Sequence, residues 1–277
     1  MIKLKKLEKI NIAIITGDDE NILLPTWDKT IKYFKKKNII FKSLIYSRKK
    51  LGNLSSIKLY LWYLKIFKIK NFFLLVLFSC LTKITRVIKN LPISFRDLSK
   101  KNNIPYIDIK NCEEKKLIHW IKKEKIDVLL ITTDDILNTK IIKSVNKGII
   151  NKHASILPTS RGLWPFFWNV INENKQGVSY HVISNKIDSG KMLFQKHLIK
   201  KKDSMIGYYL RIFNDYPFDI YSSLQILYNI KKKKLINKGN VSSYNSLPNK
   251  KDFFVFKKKG GKIITFKDIF NIFKFNK

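Results

Sequence analysis

Residues 126–151 read I-D-V-L-L-I-T-T-D-D-I-L-N-T-K-I-I-K-S-V-N-K-G-I-I-N, and this stretch decides the fold. Ile126 to Thr132 is an apolar run of strand length, closed by the polar loop Thr133 to Asn138. A short helix is expected near 139–146, followed by a second strand, G-I-I-N, at 148–151. Strand, helix, strand within so few residues is the unit from which parallel sheets are built. The same alternation runs upstream. Residues 10–16 (I-N-I-A-I-I-T) read as a buried strand, ended by Gly17 and the acidic turn Asp18-Asp19-Glu20. Pro25 suits the start of a helix running to about Lys37, and a strand follows near 39–46. I-P-Y-I-D-I at 104–109 is strand-like. Glu113 to Lys125 has helical spacing, with Leu117, Trp120 and Ile121 on one face. The expected architecture is an α/β doubly wound, mostly parallel sheet. In such sheets ligands bind beyond the carboxyl ends of the strands, and Asn151 stands at one of them.

Downstream, G-V-S-Y-H-V (177–182) and K-M-L-F-Q-K-H-L-I (191–199) look like an antiparallel pair around Asp188. Asp203-Ser204 can cap a helix reaching about Ile230 and bent near Pro217. The tail from Lys231 is basic. We expect residues 1–202 to form one α/β domain, carrying a basic insertion at about 47–100. Residues 203–277 would add a helix and a small extension packed on the core.

Fifty-six Lys and Arg against twenty Asp and Glu give a formal charge of +36, while a 45% apolar content excludes global disorder. Only five of the basic residues are Arg and only two residues in the chain are Ala, so compositional drift toward Lys, Asn, Ile and Phe accounts for much of the charge. Cys80 and Cys112 make no disulfide framework, and no Cys/His cluster suggests zinc, so no metal is expected. The N-terminus has no signal-peptide pattern and no stretch reads as membrane-spanning, which makes the cytoplasm the expected location. One region stands apart. From Lys29 to Arg96 there is no acid against seventeen Lys and Arg. Ile57 to Lys89 interleaves aromatic and aliphatic clusters with lysines, as one or two basic amphipathic helices would. Two readings stay open: contact with an anionic membrane surface (peripheral, at the inner face) or nucleic acid, or two helices packed on the sheet with their lysines in water.

The chemistry lies between Asn151 and Gly190. Asn151 and His153 point to one side of an extended strand end. S-I-L-P (155–158), Arg161-Gly162, the aromatic run Trp164 to Trp168, and Asp188-Ser189-Gly190 follow in order. This register resembles the active-site segment of the formyltransferases that use 10-formyltetrahydrofolate, the family of glycinamide ribonucleotide, methionyl-tRNA and sugar N-formyltransferases. The resemblance is specific over 148–192, looser over 10–46 and 104–147, and weak beyond about 230. It implies a Rossmann-like formyltransferase core and formyl transfer to an amine.

Such transfer needs a donor to the developing oxyanion, a group that manages protons, and a group that orients it. Asn151 supplies the amide, His153 the imidazole and Asp188 the orienting carboxylate. The resemblance places 10-formyltetrahydrofolate, as formyl donor, against the loop Thr133, Asp134, Asp135, Ile136 and Leu137. Family members carry a small, apolar or Gly-containing loop there, and Asp134-Asp135 is this chain's departure. Ser155, Arg161 and Gly162 fall on the acceptor side. His181 reads as a supporting strand residue. The expected reaction is N-formylation of an amino sugar or other small amine. A methionyl-tRNA formyltransferase-like enzyme, a formyltetrahydrofolate hydrolase, and a catalytically idle membrane- or RNA-binding relative remain as alternatives. Oligomeric state is not readable.

Overall fold

The computed structural model describes residues 7–48, 56–112, 115–199, 202–232 and 242–276. Five parallel strands carry the fold: β1 (Ile12–Thr16), β2 (Phe41–Ser47), β3 (Tyr106–Ile109), β4 (Val128–Thr132) and β5 (Gly148–His153). Two antiparallel strands, β7 (Gly177–Val182) and β8 (Met192–His197), complete a seven-stranded sheet of order β3-β2-β1-β4-β5-β7-β8. A separate pair joins β6 (Arg161–Gly162) to β9 (Tyr244–Asn245). The doubly wound, mostly parallel α/β sheet is the one the alternating pattern predicts.

Both faces of the sheet are covered, so the central strands β1 and β4 are almost wholly apolar. All five residues of β1 are buried. On one face α1 (Leu23–Lys35), α4 (Phe95–Asn102) and α9 (Tyr216–Leu227) bring Trp27, Phe34, Phe95 and Tyr216 onto Ile12, Ile14 and Ile150. On the other, α5 (Lys115–Lys123) and α6 (Thr139–Ser144) bring Leu117, Ile121 and Ile141 onto Ile15, Leu129 and Ile149. Neighbouring residues of β5 therefore face opposite sides, and Asn151 and His153 share the side of Ile149. Residues 113–114, where the expected start of α5 falls, lie outside the described residues, as do 49–55 within the basic insertion.

A third apolar cluster gathers the rest: the hairpin of α2 (Ser56–Ile66) and α3 (Ile69–Ile88), α7 (Pro165–Ile171), α8 (Met205–Asn214), α10 (Lys250–Lys258) and α11 (Phe266–Phe275). Two sequence expectations need correction here. The helix expected over 203–230 is two helices, α8 and α9, interrupted at Asp215 just before Tyr216-Pro217. Ser204 does cap the first, its Oγ accepting from the Gly207 N–H at 2.9 Å. The small C-terminal extension contains two capped helices that the sequence reading did not place. The second correction concerns α3: with 20 residues and a mean hydropathy of 1.6 it is long and apolar enough to cross a membrane by length and composition. Lys70, Lys83 and Arg86 obscure that length in the sequence. Its buried side nonetheless packs on protein. Arg86 donates to the Pro92 carbonyl and to Asn276 Oδ1, and meets Asp28 at 3.4 Å.

Candidate active site at the end of the fifth strand

β5 delivers His153 to the sheet edge, and β7 runs antiparallel beside it, with Asn151 opposite His181 and His153 opposite Ser179. Asp188 sits in the loop between β7 and β8, with a left-handed backbone, φ +48°. That conformation is unusual for a non-glycine residue, though Asp tolerates it better than most. It turns the carboxylate back over the strands. Asp188 Oδ2 lies 3.4 Å from His153 Nδ1, and Oδ1 lies 3.5 Å from His181 Nε2. The Gly162 N–H donates to the same Oδ2 at 2.8 Å. All three side chains are nearly out of water, His153 at 6%, His181 at 2% and Asp188 at 10% exposure.

Electrostatics follow from this enclosure. Burial works to raise the Asp188 pKa, but the His153 charge, the His181 imidazole and the Gly162 N–H together outweigh it and hold the carboxyl at about 2. Burial lowers the His153 pKa, opposed by Asp188 and by the Ser160 carbonyl. At neutral pH the site therefore pairs an ionised Asp188 with a neutral imidazole. His153 Nε2 lies 2.7 Å from the Ser160 carbonyl oxygen, which fixes the proton on that nitrogen. The Nδ1 lone pair then faces the carboxylate, at a distance too long for a good hydrogen bond. A proton gained at Nδ1 would be held by Asp188.

The other expected site residues fall in two groups. The structure brings Asn151, His153 and Asp188 to one end of the sheet, with His181 as a fourth member. Ser155 is buried and spends its hydroxyl on the Thr159 carbonyl, 2.6 Å away, so it shapes the turn after β5. Gly162 holds Asp188 from its backbone and pairs with β9, where a Cβ would come 2.2 Å from the Asn245 carbonyl oxygen. Arg161 is half-buried, and its Nε makes no hydrogen bond among the described residues. In the 133–137 loop, Asp135 turns away from the histidines: Oδ2 accepts from Ser47 Oγ at 2.5 Å and from the Cys112 N–H at 3.2 Å. Thr133 Oγ1 accepts from the Asp135 N–H, Leu137 is buried and Ile136 is exposed. Thr139 Oγ1 donates to Asn185 Oδ1 at 3.2 Å, so the loops after β4 and after β7 close side by side.

Lys152, between the two polar residues of β5, takes the opposite face. Its Nζ is buried against the Phe213 ring and makes no hydrogen bond among the described residues. Burial pushes its pKa well down, and Asp219 is the opposing charge. Behind the site, Trp164 packs edge-on against Trp62 of α2 at 5.2 Å between ring centroids, which ties the basic hairpin to the loop that follows Gly162. Among the described residues no group of His, Cys, Asp and Glu is placed to hold a metal.

Residues 84–215, which include Asn151, His153, His181, Asp188 and the 133–137 loop, match the family described as formyl transferase. The chain is similar to that family over this segment, which is just under half of its length. It is 33% identical over 150 residues to the bifunctional polymyxin resistance protein ArnA of Wigglesworthia glossinidia brevipalpis, covering 53% of this chain and 22% of that one. Over 102 residues it is 33% identical to the methionyl-tRNA formyltransferase of Clostridioides difficile, covering 36% of this chain and 33% of the other. The chain thus spans between about a fifth and a third of the length of these two relatives. In fold it is similar to a sugar N-formyltransferase from a Shewanella species, with a TM-score of 0.55 at 15% identity over 90% of this chain and 87% of the other. A phosphoribosylglycinamide formyltransferase from Anaplasma phagocytophilum gives 0.54 at 14% identity, over 86% and 99%.

Proposed function

We propose that this chain is a formyltransferase that moves a formyl group from 10-formyltetrahydrofolate to the amine of an amino sugar or another small amine. The observation that carries the reading is the enclosed His153–Asp188 pair at the end of β5, with the Gly162 N–H on the carboxylate. In formyl transfer the amine nitrogen attacks the formyl carbon, the carbonyl oxygen gathers negative charge, and the folate nitrogen departs with a proton. The Asn151 amide stands beside this reaction and polarises the formyl oxygen. His153 accepts the proton shed by the attacking amine, and the fixed charge of Asp188 stabilises the imidazolium as it forms. The Ser160 carbonyl holds the Nε2 proton, so the proton from the amine is taken at Nδ1, on the Asp188 side. The donor's ring system is assigned to the joined loops after β4 and β7, with Thr133 to Leu137 on one wall.

The acceptor reading rests on charge. Asp18, Asp19 and Glu20 after β1 and Asp134 after β4 crowd the same sheet edge, close enough that Asp134 acts on the titration of Asp19. In a chain of net charge +36, that edge is locally acidic. It attracts an ammonium and repels a polyphosphate backbone. The methionyl-tRNA formyltransferase likeness covers a third of that protein and supports shared transfer chemistry, with the tRNA acceptor as the second reading.

Conversion of 10-formyltetrahydrofolate, measured without amine and with amino sugars, amino-sugar nucleotides, glycinamide ribonucleotide or methionyl-tRNA, separates the readings. Turnover that requires an amino sugar supports the proposal. Turnover only with methionyl-tRNA replaces it by the second reading, and equal turnover without amine makes the chain a hydrolase.

A further inference from the structure

Helix α3 has two apolar sides, and only one of them is used. Leu74, Phe78, Thr82, Thr85 and Arg86 are buried against protein. Ile69, Phe73, Val76, Ile84, Val87 and Ile88 lie between 45% and 83% exposed. With the exposed Cys80 they recur at steps of three and four along the whole helix, so they form one unbroken stripe rather than scattered surface residues. A 20-residue helix is about 30 Å long. Two neighbours extend the apolar surface. Helix α2 adds the exposed Ile57, Leu61 and Leu64. Helix α11 runs alongside α3, with Lys89 Nζ donating to the carbonyls of Phe273 and Asn276, and exposes Phe266, Phe270 and Phe273. Contiguous apolar surface of this kind marks an interaction site.

Charge selects the occupant. Lys65, Lys68 and Lys70 flank the stripe, and residues 56–96 contain no acid. A second copy docked on the same face would oppose two basic hairpins. An anionic surface removes that conflict. A second feature agrees: where α3 begins, a cleft of about 360 Å³ opens between α3 and the start of α11, lined by Lys70, Lys257, Lys262, Asn71 and Thr265. Three lysines without a carboxylate suit a phosphate-bearing headgroup. We propose that the α2–α3 hairpin and α11 form a docking face for an anionic phospholipid bilayer, with the stripe at the acyl boundary and the cleft at headgroup level. Because its other side is fixed in the core by Arg86, α3 lies along the surface and does not cross it.

Flotation of the full chain with vesicles of phosphatidylcholine alone, or mixed with phosphatidylglycerol, tests this at low and high salt. Three variants accompany the wild type: F73S/I84S/V87S for the stripe, K70E/K262E for the cleft, and K36E/K37E as a charge-matched control at the far end of α1. The expected result is wild-type binding to the anionic vesicles only, weakened by salt. Binding falls on the order of tenfold in the stripe and cleft variants and is retained in the control, all with unchanged circular dichroism. No wild-type binding to anionic vesicles overturns the proposal. So does equal loss in the control, which would mean undirected charge. Concentration-dependent self-association abolished by F73S/I84S/V87S would assign the face to a second copy instead.

Discussion

Two regions of this molecule break the ordinary distribution of residues, in opposite senses. The end of β5 holds a carboxylate and two imidazoles where water is almost excluded, while the α2–α3 hairpin holds a stripe of Ile, Phe and Val where water is present. Burying charge is costly unless the charge is answered. At β5 it is answered locally, by His153, His181 and the Gly162 N–H around one carboxylate. At the hairpin nothing within the described residues covers the apolar stripe. The first region answers its charge among the described residues, and the second is the one we propose a bilayer covers. A fold that tolerates both departures points to function at each, one in chemistry and one in location.

The sharpest way to break the comparison is at the buried end. His153→Ala is expected to lower formyl transfer by about a thousandfold, because the group that accepts the amine proton is lost. Folate binding, measured by fluorescence titration, should change little. Asp188→Asn should cost about a hundredfold in kcat and move the acid limb of the rate profile to lower pH, since the carboxylate supports the charged imidazole. A merely structural Asp188 would leave that limb in place.

Gly162→Ala probes the scaffold. Its φ of +89° and the 2.2 Å approach to the Asn245 carbonyl predict a loss of about 2–4 kcal/mol in denaturant unfolding, with activity falling as the Asp188 anchor shifts. The ionised Asp188 itself sets a milder effect. Its pKa of about 2 against an ordinary 3.8 contributes on the order of 2 kcal/mol, fully present above pH 3.8 and lost as pH falls through 2. Asp188→Asn should flatten that part of the stability profile. At the hairpin the contrast predicts the smallest change: Ile84→Ser should alter stability by less than about 0.5 kcal/mol, because its side chain is half exposed and leaves no cavity. A larger loss would mean that the stripe is core after all.

The sequence carried these regions unequally. The sheet was legible because its strands are unbroken apolar runs between turn residues, and Asn151, His153 and Asp188 because they stand at fixed spacing within forty residues. His181 was visible only as a strand residue; its approach to Asp188 depends on the register that sets it opposite Asn151, which no local pattern encodes. The same holds for Gly162, whose constraint comes from Asn245, 83 residues on. Helices α10 and α11 were missed because exposed Phe254, Phe270 and Phe273 alternate with buried Phe253, Phe256, Ile272 and Phe275, which blurs the helical period. The unused side of α3 was hidden for the related reason that both its sides are apolar.

The most direct test of the account is the fate of 10-formyltetrahydrofolate incubated with the wild-type chain, with and without an amino-sugar acceptor, followed by the absorbance of the tetrahydrofolate product. The account predicts saturable donor binding and product formation that depends on the amine. Absence of donor binding, or product formation indifferent to the amine, would contradict it.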